Sequence, residues 1–219
     1  MKEQKEAIYN KVLEKASELT RLRTKAAKEI EEQMQAYLIP LGMPNVRFAV
    51  ELTKKKEPDA KGMDGVNYLF SANKNGTMQQ VASIASGGEI ARVMLSLKAM
   101  IAGAVKLPTI IFDEIDTGVS GSIAEKMALI MQEMGQADRQ VISITHLPQI
   151  AAMADSHFLI QKSTDGIKTV TQMDCLDFDA SVEELARMLG GASITEAVRE
   201  NAREMKLLAK KKATVLKKS

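Results

Sequence analysis

Several things are scarce in this sequence, and each scarcity removes a class of protein. There is one cysteine, Cys175, so no internal disulfide can form, and a reducing, cytoplasmic setting is expected. Tryptophan is absent and aromatics make up 4% of the chain, while 14 methionines supply flexible side chains to fill a core. No long apolar run exists. The longest apolar zone, 90–105, is interrupted by Arg92 and Lys98 and does not serve as a membrane span. The first residues, Met1-Lys-Glu-Gln-Lys-Glu, lack the apolar segment of a signal peptide. There is no G-x-x-x-x-G-K-[ST] loop to cradle a phosphate and no G-x-S-x-G elbow to present a nucleophilic serine. The only histidines, His146 and His157, fall on separate expected strands, which argues against a closed zinc site.

What is present is ordinary soluble-protein material: 219 residues, 45% apolar, 26% charged, with a net charge of +2. That is enough for one core, as a single domain or a domain with an appendage. Residues 1–38 carry dense mixed charge around an apolar stripe of Ile8, Val12, Ala16, Leu19, Leu22, Ala26, Ile30, Met34 and Tyr37. Steps of three and four predict a long helix, either one strand of a coiled coil or an amphipathic helix packed on its own domain. A turn at Leu41-Gly-Met-Pro-Asn45 leads to strands at 46–52 and 66–71, with a polar loop expected between them. The basic tail, 211–219, reads as a frayed end, solvated or touching nucleic acid.

The stretch Thr109-Ile-Ile-Phe-Asp-Glu-Ile-Asp-Thr-Gly-Val-Ser-Gly121 organises the rest. Its apolar run predicts a central strand buried on both faces, ending in the paired carboxylates Asp113 and Glu114. Those acids either stand at the ligand crevice of an open α/β sheet or are simply a solvated strand end. A helix from Ser122 and a strand over 140–145 complete a βαβ unit, so the two strands should run parallel. His146 would then share a sheet edge with Asp113 and Glu114. Upstream, Ser86 and Glu89 form a capping-box pattern with Gly87 and Gly88 inside it. Bare backbone N–H groups at a helix start suit an anion. Further capping boxes are expected at Ser181 and Glu184, and at Ser193 and Glu196. A hairpin should join 157–162 to 167–171 around Asp165-Gly166. The combination fits phosphoryl transfer to water: an acid for Mg²⁺, a second acid as base, a histidine and an anion-gripping helix start.

Ala85-Ser-Gly-Gly-Glu89, Ile111-Phe-Asp-Glu-Ile-Asp-Thr-Gly-Val-Ser-Gly121 and Thr145-His-Leu-Pro-Gln-Ile-Ala151 resemble the signature motif, Walker B with D-loop, and switch-histidine loop of ABC-type ATPases. Within that family the sequence resembles the SMC-like branch, and Leu185-Ala-Arg-Met-Leu-Gly-Gly191 favours a bacterial DNA-repair member. The resemblance implies an α/β fold: the C-terminal lobe of an ABC-type (P-loop NTPase) head, with a largely parallel sheet flanked by helices. It implies a coiled-coil stub at 1–38, the lobe at 39–210 and the tail beyond. ATP and Mg²⁺ are the implied cofactors. Asp113 would hold the metal, Glu114 would be the catalytic base and His146 the switch histidine. Asp116 would contact an opposing head, and Ser86, Gly87, Gly88 and Glu89 would meet ATP held there. Implied partners are the N-terminal lobe, a second head across the ATP, and DNA, with no membrane. Another SMC-type chromosome-maintenance head, or a non-catalytic DNA- or partner-binding module, is the alternative.

Overall fold

The computed structural model describes residues 2–84, 86–105, 107–119, 121–135, 139–164, 168–191 and 193–216. They fall into two compact units, 1–100 and 101–219. Both helix and sheet are abundant, as the α/β expectation required. Among the described residues, however, parallel pairing is confined to one pair of strands.

In the first unit, helix α1 (Lys2–Leu38) runs unbroken because neither Gly nor Pro interrupts it before Pro40. Gly42, at a φ of 81°, allows the chain to turn back sharply. Strands β1 (Arg47–Asp59) and β2 (Gly62–Ser71) pair antiparallel from Arg47 opposite Ser71 to Asp59 opposite Gly62, and the short β3 (Gln79–Gln80) adds to β2. The expected polar loop is therefore mostly strand, with the reversal reduced to Ala60 and Lys61. Its charge masked the extended backbone. Lys55 pairs with Asp59 at 2.8 Å, and Asp64 faces the helix rather than water. Gly62 sits at a φ of 91°, where a Cβ would come within 2.9 Å of Leu19 Cδ2. Only glycine fits that close approach.

Helix α1 packs on its own hairpin through its later turns. Met34 and Leu38 join Met43, Val46, Phe48, Phe70 and Val93 in one buried cluster. Val93 belongs to α2 (Gly87–Ala104). Higher up, the buried Asp64 carboxylate accepts Thr20 Oγ1 at 2.9 Å and Arg23 Nη1 at 3.0 Å, while Arg23 Nη2 donates to Lys61 O at 2.8 Å. The earliest turns leave Ile8, Tyr9 and Val12 exposed.

The second unit is built on β4 (Thr109–Asp113) and β5 (Gln140–Ile144), parallel from Thr109 opposite Gln140 to Asp113 opposite Ile144. Helix α3 (Gly121–Gly135) connects them, burying Ala124, Met127, Ala128, Met131 and Met134. Arg139 locks this connection by donating to the carbonyls of Ala102, Leu107 and Met134 at 2.7, 2.9 and 3.3 Å. One face of the pair, Ile110 and Phe112, is buried. The other face, expected to be buried too, is open: Ile111, Ile142 and Ile144 are 53%, 40% and 46% exposed. No described element covers them.

Beyond α4 (Pro148–Ala152), β6 (His157–Thr164) and β7 (Thr169–Leu176) form an antiparallel hairpin. The Asp165-Gly166 reversal lies outside the described residues. Helices α5 (Phe178–Gly190) and α6 (Glu196–Leu216) follow. The capping boxes read at Ser181 and Ser193 are not the helix starts. Asp177 caps α5 through Ala180 N at 2.8 Å, and Thr195 accepts Val198 N at 3.4 Å before α6. Ser181 is instead buried one turn inside α5, where its Oγ lies 2.8 Å from His157 Nδ1. The tail expected to fray from 211 is helical to Leu216. Buried Lys206 donates to the Ala152 and Ala154 carbonyls at 3.1 Å each, tying α6 to the end of α4.

Asp64→Ala should lower stability by roughly 2 kcal/mol, because Thr20 and Arg23 lose their shared acceptor. Urea unfolding measures it, and a loss indistinguishable from zero would show the clamp is dispensable. A second expectation concerns pH. Burial pushes the His157 imidazole below its ordinary value of 6.5, and nearby Lys206 acts the same way against the opposite pull of Glu184. The unfolded chain then binds the proton more readily than the folded one. The stability involved is complete above about pH 6.5 and declines as the pH falls through and below that value. Comparing unfolding at about pH 7.5 and about pH 6 should give a smaller drop for His157→Gln than for the parent chain. An equal drop in both would acquit His157.

Candidate active site

Four expected site residues lie at one end of the β4–β5 pair. Asp113 is the last residue of β4, exposed, and strand alternation sets it on the open face with Ile111 and Ile144. Glu114 follows, its N donating to Ile144 O at 3.1 Å, which carries the parallel ladder one residue past the strand. Its φ is +46°, the only positive value at a non-glycine among the described residues. An L side chain pays about 1–2 kcal/mol for that geometry. The turn is held around it: Thr117 Oγ1 donates to Glu114 O at 3.0 Å and Val119 N to Asp116 O at 3.2 Å. Gly118, at a φ of 75°, completes the reversal, and Ser120 lies outside the described residues.

His146 reaches the same edge because β5 runs parallel to β4 and ends one residue before Thr145. Pro148 takes the first position of α4, so the connecting loop spans only Thr145, His146 and Leu147. The His146 side chain is 65% exposed.

Asp116, expected to contact an opposing head, is fully buried in this chain. Its Oδ2 accepts from Thr145 Oγ1 and, at 3.3 Å, from His146 N. His146 Nδ1 lies 3.5 Å from the same oxygen. A buried carboxylate needs such donors nearby, and the strand-end loop supplies them. Thr145, which the sequence reading passed over, is thus part of the constellation, and its Oγ1 also accepts Leu147 N at 3.0 Å. A hydroxyl directly before His146 was the available signal, but no periodicity connects it to residue 116.

Ser86, Gly87, Gly88 and Glu89 belong to the first unit. Helix α2 begins at Gly87, as the glycine-bearing start required, and Ser86 O accepts Ile90 N at 3.0 Å. A Cβ on Gly87 would meet nothing within 4 Å, so the backbone there is open to an approaching group. Arg92 Nε bonds Gly88 O at 2.9 Å and its Nη1 bonds Leu41 O at 3.2 Å, fixing the helix start to the turn after α1. Ala85 lies outside the described residues.

The DNA repair protein RecN of Vibrio cholerae is 34% identical over 205 residues, which is 93% of this chain. RecN of Halalkalibacterium halodurans is 38% identical over 195 residues, or 87% of the chain. The similarity to these RecN proteins extends over nearly all of this chain. The chain spans just over a third of these RecN proteins, 37% and 34% of their lengths. No family model matches the chain. Among solved structures, an Smc head domain with coiled coil and joint from Pyrococcus yayanosii superposes with a TM-score of 0.59. It shares 22% identity and covers 75% of this chain and 29% of that one. The fold of the chain is therefore that of part of an Smc head domain. Among the described residues no helix is long and apolar enough to cross a membrane.

Relief of the Glu114 backbone should be measurable. Glu114→Gly should be about 1 kcal/mol more stable than Glu114→Ala, since glycine adopts a positive φ without penalty. Equal denaturation midpoints for the two variants would mean that the left-handed geometry is not kept in solution.

Proposed function

We propose that this chain is the C-terminal lobe of a RecN-like ATPase head, and that the complete head hydrolyses ATP in DNA double-strand-break repair. The observation that carries the reading is the common edge of β4 and β5, where Asp113, Glu114 and His146 converge. The similarity to RecN proteins supports the repair role. A phosphate-cradling loop does not occur in the sequence, so these residues make half of a site.

The donor set suits magnesium. Mg²⁺ keeps most of its water and takes one or two protein carboxylates. Asp113, exposed at the strand end, offers one such oxygen donor, and among the described residues no cluster of three or more ligands competes for the ion. When bound, Mg²⁺ supplies charge neutralisation at phosphate oxygens. Glu114 is the base that orients and deprotonates the attacking water. His146, at the loop after β5, stands beside the terminal phosphate and the attacking water. The open start of α2, Ser86 to Glu89, presents N–H groups to ATP held by a second head. That arrangement calls for a homodimer of heads closed on ATP, with DNA as the partner of the whole protein. The apolar face of Ile111, Ile142 and Ile144 is where the N-terminal lobe packs; leaving it in water forgoes burial worth about 25 cal/mol per Å².

The purified 219-residue chain should hydrolyse ATP at no more than the background rate. Co-expression with the N-terminal portion of a RecN protein should restore turnover, and Glu114→Gln should then cut it by about 100-fold or more while ATP still binds. Robust hydrolysis by the chain alone, abolished by Glu114→Gln, would sink the half-site reading.

A further inference from the structure

We infer that Asp116 is a positioning residue for His146, holding the ring with its Nδ1 hydrogen turned inward and its Nε2 lone pair presented outward. The inference deepens the proposed function and rests on it for the role of His146. Its structural basis is independent of that role. Asp116 is the one carboxylate of the strand-end turn that is fully buried, whereas Asp113 and Glu114 on the same turn are exposed. Burying a carboxylate is costly unless donors surround it, and an apolar side chain would fill the space without that cost. The hydrogen bonds Asp116 accepts both come from the loop after β5, from Thr145 Oγ1 and, at 3.3 Å, from the His146 backbone N; the His146 ring stands beside them, its Nδ1 3.5 Å from the same Oδ2 at ion-pair distance. Thr145 Oγ1 passes the restraint on by accepting Leu147 N at 3.0 Å. Residues 145, 146 and 147 are thereby all referred to one carboxylate.

That geometry decides the chemistry His146 offers. An ionised carboxylate only accepts hydrogen bonds, so the ring nitrogen that faces it carries the hydrogen. In a neutral imidazole the other nitrogen is then an acceptor. Asp116 Oδ1 is buried and takes no hydrogen bond among the described residues, so the carboxylate still has an acceptor position to fill. The neutral ring can therefore take a hydrogen from a water at the site. A phosphate oxygen, which also only accepts, would need a doubly protonated ring. His146 acts beside Glu114 as an orienter of water, and Asp116 acts through His146 without touching substrate.

The sequence makes the test direct, because the only other histidine is His157, bonded to Ser181 elsewhere in the same unit. The chain is labelled with ¹⁵N-histidine, its His146 signals are assigned with His146→Gln, and two-bond ¹H–¹⁵N correlations report the tautomer of each ring. The expected result is a neutral His146 mainly in the Nδ1–H form. In Asp116→Asn that population should fall by about threefold or more while the His157 pattern is unchanged, because an amide can donate as well as accept. A parent spectrum with His146 in the Nε2–H form overturns the inference, whether or not any variant folds. So does an Asp116→Asn spectrum that leaves His146 unaltered. Should Asp116→Asn disturb His157 as well, Thr145→Val decides the matter. It removes the hydroxyl but keeps the carboxylate, so retention of the Nδ1–H form upholds the inference and its loss overturns it. In the reconstituted head, Asp116→Asn should lower kcat about tenfold or more with KM within about twofold. A head that hydrolyses nothing would remove the proposed function while leaving the tautomer result to stand.

Discussion

Parallel pairing of β4 with β5 is the constraint on which the site depends. Parallel strands cannot be joined by a tight turn, so α3 must return the chain to the starting edge before β5 begins. Both strands then end on the same side. Asp113 lies opposite Ile144, Glu114 N bonds Ile144 O, and the loops that leave the two strands meet. An antiparallel arrangement of the same two segments would place His146 at the opposite end from the carboxylates. Everything chemical in the second unit follows from this register.

Division of labour among the three acids of one short turn follows from local environment. Asp113 and Glu114 remain exposed and available to a cation and a water, whereas Asp116, two residues later, is taken inside and spent on the neighbouring loop. Glu114 occupies a left-handed conformation that its side chain disfavours, and the turn enforces it through the Thr117 and Val119 hydrogen bonds. Strain at Glu114 and rigidity around it come from the same few bonds.

Much of this was legible in the sequence, and the misses share a cause. Apolar runs and helical spacing located α1, α3, β4 and β5, and Pro148 marked the start of α4, because those signals are local. Asp177 against Ser181 was not decidable locally: both precede plausible helical turns, and only the His157 partner across the fold takes Ser181 inside α5. The lysine-rich stretch after Thr53 looked like a loop because its charge hid strands that run to Asp59, and the Asp64 clamp that uses that charge spans 41 to 44 residues. Burial on both faces of β4 was inferred from composition, yet which faces are covered depends on elements distant in the chain. Asp116 illustrates the limit best. Its residue type and position were plain, but its direction, inward to Thr145 and His146, is a tertiary property.

The Asp64 clamp also has a mechanical consequence. It grips α1 at Thr20 and Arg23, with nearly twenty residues of helix extending beyond it toward Lys2. At 1.5 Å per residue that stretch, whose Ala16 is buried and whose Leu19 lies against Gly62, is a lever of about 30 Å. Because the fulcrum is a set of directed bonds to a buried acid, the hairpin and the helix turn together. A rotation of the hairpin by about 10° would carry the far end of the helix through about 5 Å. Small displacements of the hairpin are thus delivered, enlarged, to the distant tip of α1, and a pull at that tip is felt at Asp64 with the same mechanical advantage.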